Sequence, residues 1–459
     1  MKSKLPLIIL LVAIFLFYSP LLFLNFIQDD FFCLLISKTN NLKDFFVFFT
    51  PEHSFITSHY TFYRPLTTQF YFGVMQKIFG LQPFFFHFAS LLVHLLNVFL
   101  VYKLAKLFFP KAGRLLPLLS AFIYGFSQNH IVAIGWASNM QELGVTTFIL
   151  LSTIFYRKNF IFYSLIFFIL ALLSKETAIT LPLLLFFINP KPKKLIPFGL
   201  ILAYYLFVHF IKFRFTETEN YQLIVNFQAL NTLKWYIWWG IGLPEMFMDY
   251  IGPRFSIVPN LWRFFFKESV AIFSLFGLLS LTLITSAITK IKKFSFFFLA
   301  FYLIFLLPII FFPQNKYPYH QTTALAGFSI FLACFLASSK KYLIVSFVLF
   351  FGLLQIFSRN LTLQTNPMIQ RSKLVTQNLD IFRKQYPTLP ENSIIYIKND
   401  PNYPKINDIW GGTAKQLSIA VSREDSFKLY YGDSVRVFFE GKDPTPKNFS
   451  VEFTATIQK

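Results

Sequence analysis

Apolar residues run in blocks along this chain instead of alternating with polar ones. The first block is Leu5–Ile27. Others lie at 83–108, 115–133, 140–156, 160–174, 177–189, 194–213, 268–289, 294–312, 321–338 and 342–358. A helix needs about 20 mostly apolar residues to cross the hydrocarbon core, so the blocks predict about eleven transmembrane helices. The same pattern excludes an outer-membrane barrel, whose strands alternate. Leu5–Ile27 follows Met1-Lys-Ser-Lys4, as a secretory signal would. It is too long for one, however, and Gln28-Asp-Asp30 follows it where a small-residue cleavage site would stand, so it reads as the first span. The aromatic stretch Trp235–Tyr250 reads as a helix lying in the interface. Counting it as a further span would reverse the sidedness of everything after it.

The pattern changes near Arg359. Residues 359–459 are polar, with nearly balanced charge. Within them Ser393–Ile397 and Ser434–Phe439 alternate like strands, and Trp410-Gly-Gly412 reads as a turn. The fold class expected is therefore an all-α polytopic membrane protein over 1–358, followed by a small C-terminal α/β domain over 359–459. Long loops at about 28–82 and 214–267 share the face of the tail. No internal repeat is visible, and no inverted repeat of the kind many transporters carry.

Composition supports this division. Of the 459 residues 55% are hydrophobic, and 66 are phenylalanine. Only 14% are charged, against about 25% in soluble proteins. These values exclude a soluble globular enzyme and a disordered chain. Two cysteines, Cys33 and Cys334, exclude a disulfide framework and a multi-thiolate metal site. The net charge is +21, and its placement argues against a nucleic-acid partner. Lys2 and Lys4; Lys103, Lys106, Lys111 and Arg114; Arg157 and Lys158; Lys191, Lys193 and Lys194; Lys290, Lys292 and Lys293; and Lys340 with Lys341 form six short clusters at the ends of apolar blocks. With the N-terminus inside, every cluster falls on the cytoplasmic side, as the positive-inside rule requires. The protein is then a multi-pass plasma-membrane protein with an exoplasmic tail.

Ionisable groups beside spans are costly, which makes them functional candidates. Here they gather at one face: Asp29 and Asp30 after the first span, Arg64 in the first outer loop, His130 and Glu142 around the third and fourth spans, Lys175 and Glu176 between the fifth and sixth, and Lys316, Tyr317 and His320 between the ninth and tenth. A carboxylate at an apolar boundary has a raised pKa suited to a general base; the alternative reading of Asp29-Asp30 is that the pair merely ends the span at the headgroup layer. Arg64, in Tyr63-Arg-Pro-Leu66, suits a phosphate and also suits snorkelling to headgroups. His87, His94 and Asn97 share a helix face, as packing residues, as a cavity stripe or as part of a metal site. Trp136 reads as cavity lining or as an interfacial anchor. The sequons Asn360-Leu-Thr362 and Asn448-Phe-Ser450 matter only where the host glycosylates them.

Taken in order, these residues resemble the GT-C class of polytopic glycosyltransferases, which use polyprenyl-phosphate sugars. The likeness is nearest to the protein O-mannosyltransferases and the tetratricopeptide-repeat-bearing mannosyltransferases. It is carried by Asp29-Asp30, Tyr63-Arg-Pro-Leu-Thr67, Phe79-Gly-Leu-Gln-Pro83 with Phe86-His87 and His94-Leu-Leu-Asn97, His130 with Trp136 and Glu142, Ser174-Lys-Glu-Thr-Ala178, and more weakly Lys316-Tyr-Pro-Tyr319. It covers about residues 1–190. The resemblance implies that Asp29 or Asp30 is the catalytic base toward an acceptor hydroxyl, and that Arg64 and Lys175 hold the departing lipid phosphate. It implies inversion at the sugar, mannose or a similar hexose, and an acceptor that is a protein serine or threonine or an envelope glycan or lipid. No cofactor is required, a divalent metal being optional. The chain departs from the pattern at Val132, Ser127-Gln128, Met140 and Lys316, and it has no 34-residue repeats. These departures leave the acceptor open. The competing readings are a lipid or sugar transporter or flippase, which would carry mid-membrane charges and inverted repeats, and a scaffold that binds through its tail.

Overall fold

A computed structural model describes residues 5–50, 62–212, 222–252, 255–287, 295–403 and 411–457. Lys2, Lys4, Lys290, Lys292, Lys293, Trp410, His53, His59 and the start of the second long loop at Arg214 lie outside the described residues.

The chain is 72% helical, because apolar blocks of this length have to satisfy every backbone group within themselves. Among the described residues, five helical segments are long and apolar enough to cross a membrane: Leu5–Phe23, Pro83–Phe108, Asn260–Ser286, Pro318–Leu336 and Lys341–Thr365. Leu115–Phe126, Ile161–Leu172, Glu176–Ile188 and Ser295–Ile310 are shorter apolar helices. In chain order, α1 is Leu5–Tyr18, α2 Asp29–Ile36, α3 Asp44–Val47, α4 Tyr71–Phe79 and α5 Pro83–Phe108. Next come α6 Leu115–Phe126, α7 His130–Gly135, α8 Met140–Arg157, α9 Ile161–Leu172, α10 Leu181–Ile188 and α11 Pro192–Lys212. Then follow α12 Gln228–Ile241, α13 Phe247–Tyr250, α14 Asn260–Ala287, α15 Ser295–Ile310, α16 Thr322–Leu336 and α17 Lys341–Thr365.

Two differences from the sequence reading have local causes. The block 115–133 is not one helix: α6 stops at Phe126, the Ser127–Asn129 turn intervenes, and α7 begins at His130. Ser127, Gln128 and Asn129 favour turns through their own side-chain hydrogen bonds. Asn129 Nδ2 donates to Ser127 Oγ at 3.0 Å and to Trp239 O at 2.6 Å, so the turn is buried and paid in bonds. The stretch Trp235–Tyr250 is not one helix either: it is split between the end of α12 and α13, and α12, 14 residues long, is about 21 Å at ~1.5 Å per residue, short of the ~30 Å hydrocarbon core. It buries Trp235, Tyr236 and Trp239 and ends at Gly242, whose φ of 126° only glycine tolerates readily.

Close packing depends on small residues. A Cβ on Gly125 of α6 would lie 2.3 Å from Ile14 Cδ1 of α1 and 3.2 Å from Val98 of α5, so glycine permits this three-helix approach.

The last membrane-length helix, α17, runs past the compositional change at Arg359 to Thr365. Asn366 then caps α18, Pro367–Gln385, accepting from the Met368 amide at 2.9 Å. Beyond it lies a three-stranded parallel sheet in the order β2-β1-β3, with β1 Ile394–Asn399, β2 Arg436–Phe439 and β3 Val451–Ala455. The stretches that alternate in the sequence supply β1 and β2. Parallel neighbours need a crossover, and α19, Thr413–Ala420, with α20, Asp425–Tyr431, forms the one between β1 and β2. Asn378 of α18 bonds Thr456 in both directions, at 2.8 Å each, fixing the sheet to that helix. The tail also touches the N-terminal part of the chain, because α20 packs against α2, the short helix after the first apolar segment.

Candidate functional site

Asp29 and Asp30 open α2, where the helix dipole favours negative charge. The fold separates their tasks. Asp30 is fully buried: its Oδ2 accepts the Ile27 amide at 3.0 Å and its Oδ1 the Ser138 amide at 2.7 Å. It thereby joins the end of the first span to the turn after Trp136. Burial pushes its pKa up to about 7, and the two amide donors hold it back from going higher. Asp29 is exposed, and its carboxylate makes no hydrogen bond among the described residues. It reaches solvent, yet enough protein stands around it to desolvate the carboxylate. Burial pushes its pKa up to about 6; Arg64 pulls it down, Asp425 pushes it up and Arg371 pulls it down.

The preceding residue, Gln28, has φ 46°, an uncommon backbone state for a non-glycine residue. The tail holds it there. The Gln28 amide donates to Ala420 O at 2.8 Å, and Arg371 Nη1 donates to Gln28 Oε1 at 2.9 Å. Alongside, the Asn25 amide donates to Ser372 Oγ at 2.7 Å, and Asn25 Nδ2 to Asp380 Oδ2 at 2.8 Å.

Arg64 and Lys175 meet across a short segment of chain. The Leu66 amide donates to Leu173 O at 3.2 Å and Thr67 Oγ1 to Ser174 O at 2.9 Å, which docks the Arg64 loop on the Ser174 turn. Lys175 is extended, with φ −163°, so consecutive side chains leave on opposite sides. Lys175 turns to Glu142 and Glu176 turns to Arg64. Arg64 grips Glu176 through Nε at 3.0 and 2.9 Å and through Nη2 at 2.7 Å, its Nη1 bonds Gln141, and its guanidinium lies 4.2 Å from the Phe62 ring centre. Lys175 Nζ pairs with Glu142 Oε1, and His320 Nδ1 reaches the same oxygen at 2.8 Å. Burial lowers the Lys175 pKa, and Glu142 draws it back up. Both cations that sequence reasoning singled out are thus held by carboxylates.

Aromatic residues stand beside this cluster. Tyr317 stacks on Tyr319 at 5.4 Å, and Trp136 meets Tyr319 edge-on at 6.1 Å. Tyr63 donates its hydroxyl to Phe49 O at 2.8 Å. Lys316 donates to Pro313 O at 2.8 Å; burial lowers its pKa, and Asp249 raises it.

The remaining candidates are interior. His87 bonds Ile134 O at 3.2 Å, His94 bonds Gly125 O at 3.1 Å and His130 bonds Tyr124 O at 3.1 Å. Asn97 donates to Leu143 O at 3.0 Å and accepts from Thr147 at 2.7 Å. All four are fully buried, and each of these bonds ties one helix or turn to another. Among the described residues no group of three or more histidine, cysteine, aspartate or glutamate side chains is arranged to hold a metal ion.

Sequence reasoning missed Gln28, Gln141, Arg371 and Asp425. Arg371 and Asp425 sit in the tail, hundreds of positions from Asp29, and no local pattern marks them. Comparison with protein-family models, curated proteins and solved structures gives no match to this chain.

Proposed function

We propose that the chain is a membrane glycosyltransferase of the GT-C kind. It would transfer mannose or a similar hexose from a polyprenyl-phosphate donor to an acceptor hydroxyl, with inversion. The observation that carries this reading is Asp29, an accessible carboxylate with no hydrogen bond among the described residues and a pKa near 6, set beside cations at the end of the first span. Such a group is ionised at neutral pH and still basic enough to take a proton.

In this scheme the acceptor oxygen attacks the anomeric carbon as Asp29 removes its proton. The bond from that carbon to the phosphate oxygen breaks, and the phosphate leaves with the electron pair. Cations around Asp29 stabilise the charge that gathers on it. Asp30 acts as a support, since both its oxygens hold backbone amides. The lysine and arginine clusters at the ends of the apolar blocks support an exoplasmic side for Asp29 and the tail.

The test uses the full chain in nanodiscs with radiolabelled polyprenyl-phosphate mannose, following release of polyprenyl phosphate with and without a hydroxyl acceptor. Release is expected from the wild type and lost in Asp29→Asn. Full release from a folded Asp29→Asn variant would remove the proposed base. A wild type inactive toward a panel of polyprenyl-linked sugars, but able to drive their uptake into proteoliposomes, would favour a transporter instead.

A further inference from the structure

Of the two arginines whose charge acts on Asp29, one makes no ion pair among the described residues. Glu176 holds Arg64 on three nitrogen–oxygen contacts, and Glu142 holds Lys175. A guanidinium or ammonium already paired with a carboxylate brings little net positive charge to an incoming anion. Arg371 differs. It makes no ion pair among the described residues, and its polar partners are the neutral Gln28 Oε1 at 2.9 Å and Met368 Sδ at 3.7 Å. Half-buried on α18, it is anchored to the residue just before Asp29, whose carboxylate acts on it electrostatically. A partly buried arginine without a counter-ion is costly unless an anion joins it. Its planar, multi-donor head matches a phosphate bidentately.

We propose that Arg371, from the C-terminal tail, receives the phosphate group of the substrate beside Asp29, while Arg64 and Lys175 are positioning residues held by Glu176 and Glu142. The tail is then part of the site. The proposal rests on reading the surroundings of Asp29 as the place where a phosphate-bearing donor sits.

Binding is measured on the full chain in phosphatidylcholine nanodiscs with three probes: farnesyl phosphate, inorganic phosphate and farnesol. Wild type is compared with Arg371→Gln, Arg371→Lys and Asn25→Ala. Arg371→Gln should weaken farnesyl phosphate binding at least tenfold and leave farnesol binding unchanged, and Arg371→Lys should recover most of the loss. Asn25→Ala loosens the same junction between tail and membrane helices without removing the charge, and should bind farnesyl phosphate within about threefold of wild type. Farnesyl phosphate binding without inorganic phosphate binding identifies a lipid-linked phosphate; binding of both identifies a site that free phosphate also fills. Equal binding by wild type and Arg371→Gln would overturn the proposal and leave the glycosyltransferase reading standing. An equal loss in Asn25→Ala would also overturn it, since the arginine would then act only through the fold. No binding of either phosphate probe by wild type would sink both readings.

Discussion

Asp30 offers the sharpest test of how the two adjacent acids divide their work. Its carboxylate accepts two backbone amides, from Ile27 and Ser138, at a site with no solvent access. Asp30→Ala leaves both donors buried and unpaired, at about 1–3 kcal/mol each, or roughly 2–6 kcal/mol together. Asp30→Asn keeps one acceptor oxygen but turns an amide NH2 toward the second donor, so it should lose roughly half as much. Asp29→Asn removes no hydrogen bond among the described residues and should stay close to wild type in stability. The assay is thermal unfolding in nanodiscs followed by tryptophan fluorescence, beside the release assay. The expected order of unfolding temperature is wild type and Asp29→Asn together, Asp30→Asn several degrees lower, and Asp30→Ala lowest. The pH dependence gives a second reading. The folded-state pKa of Asp30, about 7, lies above its ordinary value of 3.8. Its contribution to stability is therefore complete below about pH 4 and is lost as the pH rises through about 7. Between pH 5 and pH 8 the wild type should lose stability that Asp30→Asn, which cannot ionise there, does not lose. An Asp30→Ala protein as stable as wild type would refute the bracing role, as would an Asp29→Asn protein that unfolds as early as Asp30→Ala.

Other outcomes follow from the same geometry. If Asp29 is the base, kcat/KM should rise with pH through an apparent pKa of about 6 and then level off; a profile flat from pH 5 to 8 would exclude it. Glu142→Gln leaves Lys175 buried without its carboxylate partner and should cost about 3–5 kcal/mol, read by unfolding temperature, with Glu142→Gln/Lys175→Met recovering much of the loss. Gly125→Ala drives a methyl into Ile14 and should destabilise by about 1–3 kcal/mol in the same assay, with Ile14→Ala as a second change restoring part of it.

The helices were legible because hydrocarbon thickness sets their length. The block 83–108 is α5, Pro83–Phe108, opened by a proline that cannot extend a helix backward. The shared face of His87, His94 and Asn97 was legible from spacing, but spacing names a face and not the neighbour that covers it. Here the neighbours are backbone carbonyls of Ile134, Gly125 and Leu143. The adjacency of Asp29 and Asp30 drew attention to them, while their difference comes from the Ser138 amide, which no local pattern announces. The tail's strands were partly legible from alternation. Its packing against the turn before α2 was not, because a period of two or of 3.6 describes one element and carries no record of a distant partner. The polar composition of the tail reads as that of a separate unit, whereas Gln28 and Ala420 share a hydrogen bond.

That junction bears on the order in which the protein comes into being. Arg371 follows Gln28 by 343 positions, so at about 5–20 residues per second a ribosome needs roughly 20 to 70 s to supply it. The turn before α2 must wait that long, with Gln28 lacking the partners that hold its unusual backbone. The surroundings of Asp29 are therefore complete only when synthesis is nearly over. A chain cut short before α18 would enter the membrane with Gln28 lacking both Arg371 and Ala420.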